Sequence, residues 1–247
     1  MAARQSASIA NDASSTKILV TFPSTVASGS AIVGYVTWGT AVSTDFISVG
    51  DEKSGASSFT LVDRVADAPN NQCLGSFYKL NVTSAASSIT ASFDIGVTFR
   101  TLLVNEYINI STVTALDKNH MILKSAPGTG ANAIATSTMT TGTNGELIYS
   151  GVIDTTTGSL ATVATGTGYT IVQTNSSATV HMKTEGQTQG TAGGIAGTWT
   201  DGTHGGTDSY IVGMMAFKPS TVSATAQRIV YPWRAEFASG VFANNKI

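Results

Sequence analysis

The sequence predicts an all-β protein, an antiparallel jelly-roll β-sandwich with extended N- and C-terminal arms. Charged residues make up only 11% of the chain, while Ser, Thr, Gly and Ala are abundant, which is a β-rich composition. Short apolar or alternating segments recur along the chain, separated by Gly, Pro, Asn and Asp turns. No long segment has the 3.6-residue period of an amphipathic helix, so a sandwich or barrel is expected.

The domain is predicted to end at the apolar run from Tyr210 to Phe217, which Lys218 and Pro219 close. This run is too short to cross a membrane as a helix, and a proline cannot donate to a strand ladder, so a buried last strand is expected. Residues 17–219 are therefore predicted to form the sandwich. Residues 1–16 are small and polar and are predicted to form an N-terminal arm, and residues 220–247 a C-terminal assembly arm.

In the first half of the chain, the segment 31–38 is the clearest strand. Ile32, Val36 and Trp38 would lie on one face, with Val33 and Tyr35 on the other, which predicts a central strand buried on both sides. A hairpin is expected at the turn 50–55. The strands predicted in this half are 17–22, 31–38, 45–49, 58–65, 72–80, 88–93 and 97–110.

In the second half, Asn144 and Gly145 can supply the positive φ angles of a tight hairpin turn between two predicted strands. Residues 112–130 are expected to be irregular, with at most one helical turn, because Pro127 prevents a longer helix. The glycine-rich stretch 186–206 is predicted to be a long loop or a loosely held edge hairpin. The strands predicted in this half are 133–140, 146–153, 169–172, 179–185 and 210–217.

The order of these segments resembles the jelly-roll, concanavalin-like domains of phage virion structural and decoration proteins and of bacterial surface proteins. The resemblance covers about residues 17–219 and implies structural or binding roles rather than catalysis. The segments that carry it are 32–38, 51–61, 103–107, 145–152, 166–169 and 210–219.

The formal net charge of −2 and the pI near 5.9 provide no field to attract nucleic acid or an anionic membrane. The N-terminus lacks the apolar core of a secretion signal, and no segment is long enough to span a bilayer, so neither nucleic-acid nor membrane partners are expected. The single cysteine, Cys73, cannot form an intramolecular disulfide and is predicted to be a small core residue.

No metal, cofactor or catalytic residue is predicted. The three histidines are far apart in sequence and none has the spacing of a zinc site. The glycine-rich loop is the candidate ligand site, because its side chains could hold a hard cation or touch a sugar, although Asp and Gly are also ordinary turn residues. The loop residues are Trp199, Asp201, His204 and Asp208, of which Trp199 is expected to be exposed.

Glu106 is the one carboxylate that interrupts an apolar strand. A glycan-cleaving enzyme would need a second carboxylate about 5 to 10 Å away in the same cleft, and the sequence assigns none. The competing interpretation is that Glu106 faces solvent or forms a structural ion pair with Lys79, Arg64 or Arg100. The chain is therefore predicted not to be an enzyme.

The C-terminal arm is the main functional clue, because a free tail would not keep this many apolar side chains in water. Either the sandwich of the same chain or a neighbouring subunit would bury them, and Trp, Tyr and Arg are enriched at protein interfaces. The predicted assembly residues are Ile229, Tyr231, Trp233, Arg234, Phe237 and Phe242.

These features predict a virion structural protein, assembled in the host cytoplasm, that decorates a phage capsid or forms part of a tail. Its partners would be the major capsid protein or another virion protein and further copies of itself, with a host surface glycan as a further ligand. The alternative is a carbohydrate-binding module of a phage fibre or bacterial surface protein.

Overall fold

The computed structural model describes residues 1–53, 58–83, 86–124, 129–156, 160–176, 181–205 and 208–220, with the backbone alone at 129–132, 176 and 203–205. Every strand pairing in these residues is antiparallel, and the helix they contain is a 3-10 turn at Ser43–Asp45. The predicted all-β antiparallel class is confirmed. The strands are β1 Ala3–Asn11, β2 Ser15–Thr21, β3 Ala31–Gly39, β4 Phe46–Asp51, β5 Thr60–Asp67, β6 Gln72–Lys79, β7 Ser88–Tyr107, β8 Leu116–Lys124, β9 Thr129–Ala135, β10 Met139–Thr140, β11 Glu146–Asp154, β12 Val163–Thr165, β13 Thr170–Ser176, β14 His181–Gln189, β15 Gly194–Ile195, β16 Thr198–Gly205 and β17 Tyr210–Phe217.

Two five-stranded sheets form the centre of the molecule. The first has the strand order β1-β7-β3-β6-β5, and the second has the order β13-β14-β11-β17-β8. At one side of the sandwich β1 lies near β13, and at the other side β5 lies near β8. Between the sheets Tyr35 packs against Tyr149 with ring centroids 5.3 Å apart, in a core that also contains Leu103, Ile153 and Met215.

A second core lies on the opposite face of the first sheet. The first half of the 20-residue strand β7 pairs with β2 and β4, while its second half pairs with β1 and β3. β2, β4 and the first half of β7 form an outer three-stranded layer. This layer packs on the first sheet through Trp38, whose ring centroid lies 5.5 Å from that of Phe46 and 5.7 Å from that of Phe93. The sequence predicted two separate strands here, but the structure joins them through the exposed residues 94–96.

The outer face of the second sheet is covered in the same way. The sheet β12-β16-β9 packs Trp199 and Ile134 against Val152 and Val212, and the pair β10-β15 lies over Ile148. The described residues therefore form four β layers with three apolar interfaces between them. This stacking explains why β3, β11 and β17 are buried on both faces. The unbroken apolar sequences of β3 and β17 had predicted their burial.

The predicted N-terminal arm differs from the structure. Residues 3–11 form strand β1, which runs along β7 from the pair Ala3 and Tyr107 to the pair Asn11 and Arg100. Ala7 is buried, and the Arg100 guanidinium donates hydrogen bonds to the carbonyls of Ala13 and Lys17. Small side chains carry little strand signal, but backbone hydrogen bonds to an unpaired edge place this segment in the sheet.

Three further predictions are corrected in the second half of the chain. Residues 116–124, predicted to be irregular, form the edge strand β8 against β17. The glycine-rich stretch 186–206 is largely strand, contributing the end of β14 and all of β15 and β16. Gly145 has the expected positive φ of 80°, but β11 pairs with β14 and β17 rather than forming the predicted hairpin with its preceding strand.

Candidate functional site

Trp199 does not lie on the surface, so the expectation of an exposed sugar platform is wrong. Its side chain is fully buried in β16, and its indole N–H donates a hydrogen bond of 2.9 Å to the Ser150 hydroxyl. The indole fills the apolar space between the second sheet and its outer layer together with Ile134 and Val212. The glycine-rich sequence around Trp199 did not indicate a core position, because glycine is common both in loops and in closely packed strands.

Asp201 is also buried, and its contacts are structural. One carboxylate oxygen accepts a hydrogen bond from the Thr162 hydroxyl at 2.8 Å, and the other accepts one from the Tyr210 hydroxyl at 2.9 Å. Burial raises the pKa of Tyr210 above its usual range, and the carboxylate of Asp201 raises it further. Asp201 therefore links β16 to β17.

The other two predicted loop residues are His204 and Asp208. Asp208 is buried immediately before β17, and the backbone of His204 lies in β16 opposite Gly130, while the His204 side chain is outside the described part. Among the described residues, no group of three or more His, Cys, Asp or Glu side chains is arranged to hold a metal ion.

Glu106 is buried and belongs to a structural ion pair, as one of the two interpretations expected, but its partner was not anticipated. Its Oε2 lies 2.5 Å from a guanidinium nitrogen of Arg4 and accepts a hydrogen bond from Gln5 at 2.6 Å. Its Oε1 accepts a hydrogen bond from the Ala27 amide at 2.7 Å. The carboxylate therefore joins β1 and the segment before β3.

The three predicted cation partners of Glu106 are occupied elsewhere. The Lys79 ammonium lies 2.6 Å from Asp51, and Arg64 donates to the Phe46 carbonyl at 2.6 Å. Arg100 donates to the backbone carbonyls described above. Sequence reasoning could not find Arg4, because the predicted arm was not placed beside β7.

Glu185 is a buried carboxyl that sequence reasoning missed. It lies in the middle of β14 and is fully buried, and burial raises its pKa to about 8. The amides of Gly166 and Thr198 and the Ser150 hydroxyl oppose this shift, while its Oε1 has no hydrogen-bond partner among the described residues. The sequence signal available for Glu185 was the alternation of Lys183 and Glu185 along β14. This alternation indicates a strand face that points away from the central core, and in the structure a further β layer covers that face.

Glu146, at the start of β11, is another buried carboxyl that sequence reasoning missed. Its Oε1 accepts a hydrogen bond of 2.9 Å from the Thr143 amide, and burial raises its pKa. Three surface depressions, with volumes of about 260, 290 and 200 Å³, are lined by neither Glu146, Glu106 nor Glu185.

Cys73 is confirmed as a core residue. Its side chain is fully buried in β6 and its Sγ donates to the Thr40 carbonyl at 3.1 Å. Burial raises the pKa of this thiol to about 12, so the reactive thiolate is scarce at neutral pH.

The strongest candidate for an interaction surface is the groove between the edge strands β1 and β13, here called the edge groove. It has a volume of about 290 Å³, and Ile171 on its wall is 47% exposed. Within the described residues, β1 pairs only with β7, and β13 pairs only with β14. The groove is lined by Met1, Ala2, Ala3, Ser6, Tyr107, Thr170, Ile171, Val172 and Gly186.

The chain leaves the sandwich close to this groove. After β17, the Lys218 carbonyl accepts a hydrogen bond from Ser111 at 3.0 Å, and the Ser220 amide donates to the Asn109 carbonyl at 2.8 Å. Pro219 forms a bridge with Ile110 between these two bonds. The predicted assembly residues Ile229, Tyr231, Trp233, Arg234, Phe237 and Phe242 lie outside the described residues.

Comparisons with known proteins add no relative to this description, since no family model, no curated protein and no solved structure matches the chain. Within the described residues, no helix has the length and apolar character needed to cross a membrane.

Proposed function

We propose that this protein is a non-enzymatic virion structural protein, a decoration or cement subunit on a phage capsid, whose C-terminal arm joins it to neighbouring subunits. Its sandwich would be of the jelly-roll type, it would form homo-oligomers, and it would be assembled with the major capsid protein or another virion protein in the host cytoplasm. The sequence order of the strands, described above, is the basis of the jelly-roll assignment.

One observation carries this proposal: the aromatic arm follows a strand that is already complete. β17 is hydrogen-bonded on both edges, to β11 and β8, and all of its residues are buried. Among the described residues, the side chains that fill the three interfaces between layers all precede Lys218. The arm sequence Arg228 to Phe242 therefore adds apolar residues beyond the last strand, where a second molecule is a fitting partner.

The buried acids support a structural role. Glu106 is held by Arg4 and Gln5, and Asp201 by Thr162 and Tyr210, so each has the environment of a group that fixes the fold. The carbohydrate-binding alternative depended on an exposed Trp199, and the burial of that side chain removes its aromatic platform.

The mechanism would be mechanical. Each arm would bury its aromatic side chains on a neighbouring subunit, and folded subunits would be stabilised because a partner binds the folded state alone. Repetition of the contact over a lattice would strengthen attachment beyond the affinity of one arm, because linked sites act at high effective concentration.

Multi-angle light scattering of the full chain over a concentration series tests this proposal. We expect an oligomer, and we expect the variant Tyr231→Ser/Trp233→Ser to dissociate toward monomers because it removes the two largest arm side chains. Ile95→Ser is the matched control, since it removes a half-exposed apolar side chain from the outer strands. An oligomer that is unchanged in the arm variant, or a full chain that is monomeric at every concentration, would refute the proposed role of the arm.

A further inference from the structure

The edge groove has the features of a docking site for an extended segment. β1 and β13 each present one edge without a strand neighbour among the described residues, and such edges pair readily with added strands. Between them the apolar side chains of Met1, Ala3 and Val172 pack on the central core. A partner with alternating backbone hydrogen bonds and apolar side chains fits this surface.

The floor of the groove is closely packed, and its wall offers one exposed apolar side chain. Gly186 has no room for a larger residue, because a Cβ there would lie 3.1 Å from Val172 and 3.7 Å from the Tyr107 hydroxyl. Tyr107 is buried and lines the groove. The half-exposed Ile171 on the wall can contact an apolar or aromatic side chain of a docked segment, in a volume of about 290 Å³.

The direction in which the chain leaves β17 indicates which segment could occupy the edge groove. Lys218 to Ser220 run antiparallel to Asn109 to Ser111, so the chain travels from β17 back toward the end of β7. Tyr107, two residues before Asn109, lies at the end of β7 and lines the groove. Ten residues separate Ser220 from Tyr231, and an extended chain covers about 3.3 Å per residue, so Tyr231 can lie up to roughly 35 Å from Ser220.

We propose that the edge groove is the docking site of the C-terminal arm, with the segment Arg228 to Phe237 lying along β1 or β13 and an aromatic side chain of that segment against Ile171. This inference rests on the proposed role of the arm and adds the surface that receives it. The Tyr231-Pro232-Trp233 sequence suits an edge site, since a proline is tolerated where its nitrogen faces away from the ladder.

Site-directed cross-linking of the full chain tests this docking site. Ile171→Cys places a thiol on the groove wall, Arg234→Cys places one beside Trp233, and a short bismaleimide joins them if the arm is docked. The matched control pairs Arg234→Cys with Leu19→Cys, because Leu19 is 50% exposed on the outer three strands, away from the groove. Cys73 is buried and is left in place.

We expect several-fold more cross-linked product from position 171 than from position 19. A product joining two chains supports both the groove and the proposed function. A product within one chain keeps the groove as the docking site but refutes the proposal that the arm joins subunits. Equal or absent cross-linking at the two positions would overturn the proposal that the arm docks in the edge groove. Light scattering of the arm variant then tests the proposed function separately.

Discussion

Glu185 makes stability depend on pH in a way that can be worked out from its surroundings. Burial in β14 raises the pKa of Glu185 to about 8, whereas in an unfolded chain this carboxyl would ionise with its ordinary pKa of 4.5. Between these values the folded protein holds a proton that the unfolded chain releases. The contribution of Glu185 to stability is therefore most favourable below about pH 4.5, falls as the pH rises through this window, and reaches a constant lower level above about pH 8.

The size of the effect follows from the same two values. One pKa unit corresponds to 1.36 kcal/mol, so the unfavourable contribution of Glu185 is about 3 kcal/mol at pH 7 and about 5 kcal/mol above pH 8. Water entry on ionisation reduces these contributions. Glu185→Gln keeps the shape and removes the charge, so it should raise stability at pH 8.5 by several kcal/mol and change it little at pH 5.

Urea unfolding followed by tryptophan fluorescence between pH 5 and pH 9 measures this difference. Glu52→Gln is the matched control, because amides and the hydroxyl of the Ser87–Ser88 segment lower the pKa of Glu52 and keep it ionised throughout this range. The control should retain the wild-type decline of stability with pH. If Glu185→Gln retains that decline as well, the buried carboxyl is not its source and the reasoning fails.

Three further predictions concern the structural roles assigned above. Arg4→Ala should lower the free energy of unfolding by about 1 to 3 kcal/mol, because it leaves the buried Glu106 without a cation that is itself partly exposed; an unchanged urea midpoint would contradict the ion pair. Trp199→Ala should cost about 3 to 5 kcal/mol through the cavity it leaves, and a value near zero would mean that the indole is exposed. Cys73 should resist a thiol reagent in the native protein at pH 8 and react at once in urea; rapid native labelling would show that the thiol is accessible.

The strands that the sequence predicted best are those whose environment is the same on both faces. Segments 31–38 and 210–217 are continuous apolar runs, and the structure buries them between layers as β3 and β17. An apolar run of this length has few alternatives in a chain with so many turn residues. Local pattern was sufficient because burial on both sides does not depend on which strand is the neighbour.

The features that the sequence did not predict depend on distant partners. Strand β1 has small and polar residues and is defined by pairing with β7 about 90 residues or more along the chain. The contact of Glu106 with Arg4 follows from that pairing, 102 residues apart. Trp199 was assigned to the surface because glycine surrounds it, whereas the buried sheet β12-β16-β9 that encloses it is visible only in three dimensions.

The central claim is that the C-terminal arm joins subunits, and the most direct measurement is the solution mass of the full chain and of a chain ending at Ser220. We predict an oligomer for the full chain and a monomer for the shorter chain, with the two unfolding at similar urea concentrations because β17 and the three cores remain complete. Monomers in both cases, with the shorter chain much less stable, would contradict the claim and would mean that the arm completes the core of its own molecule.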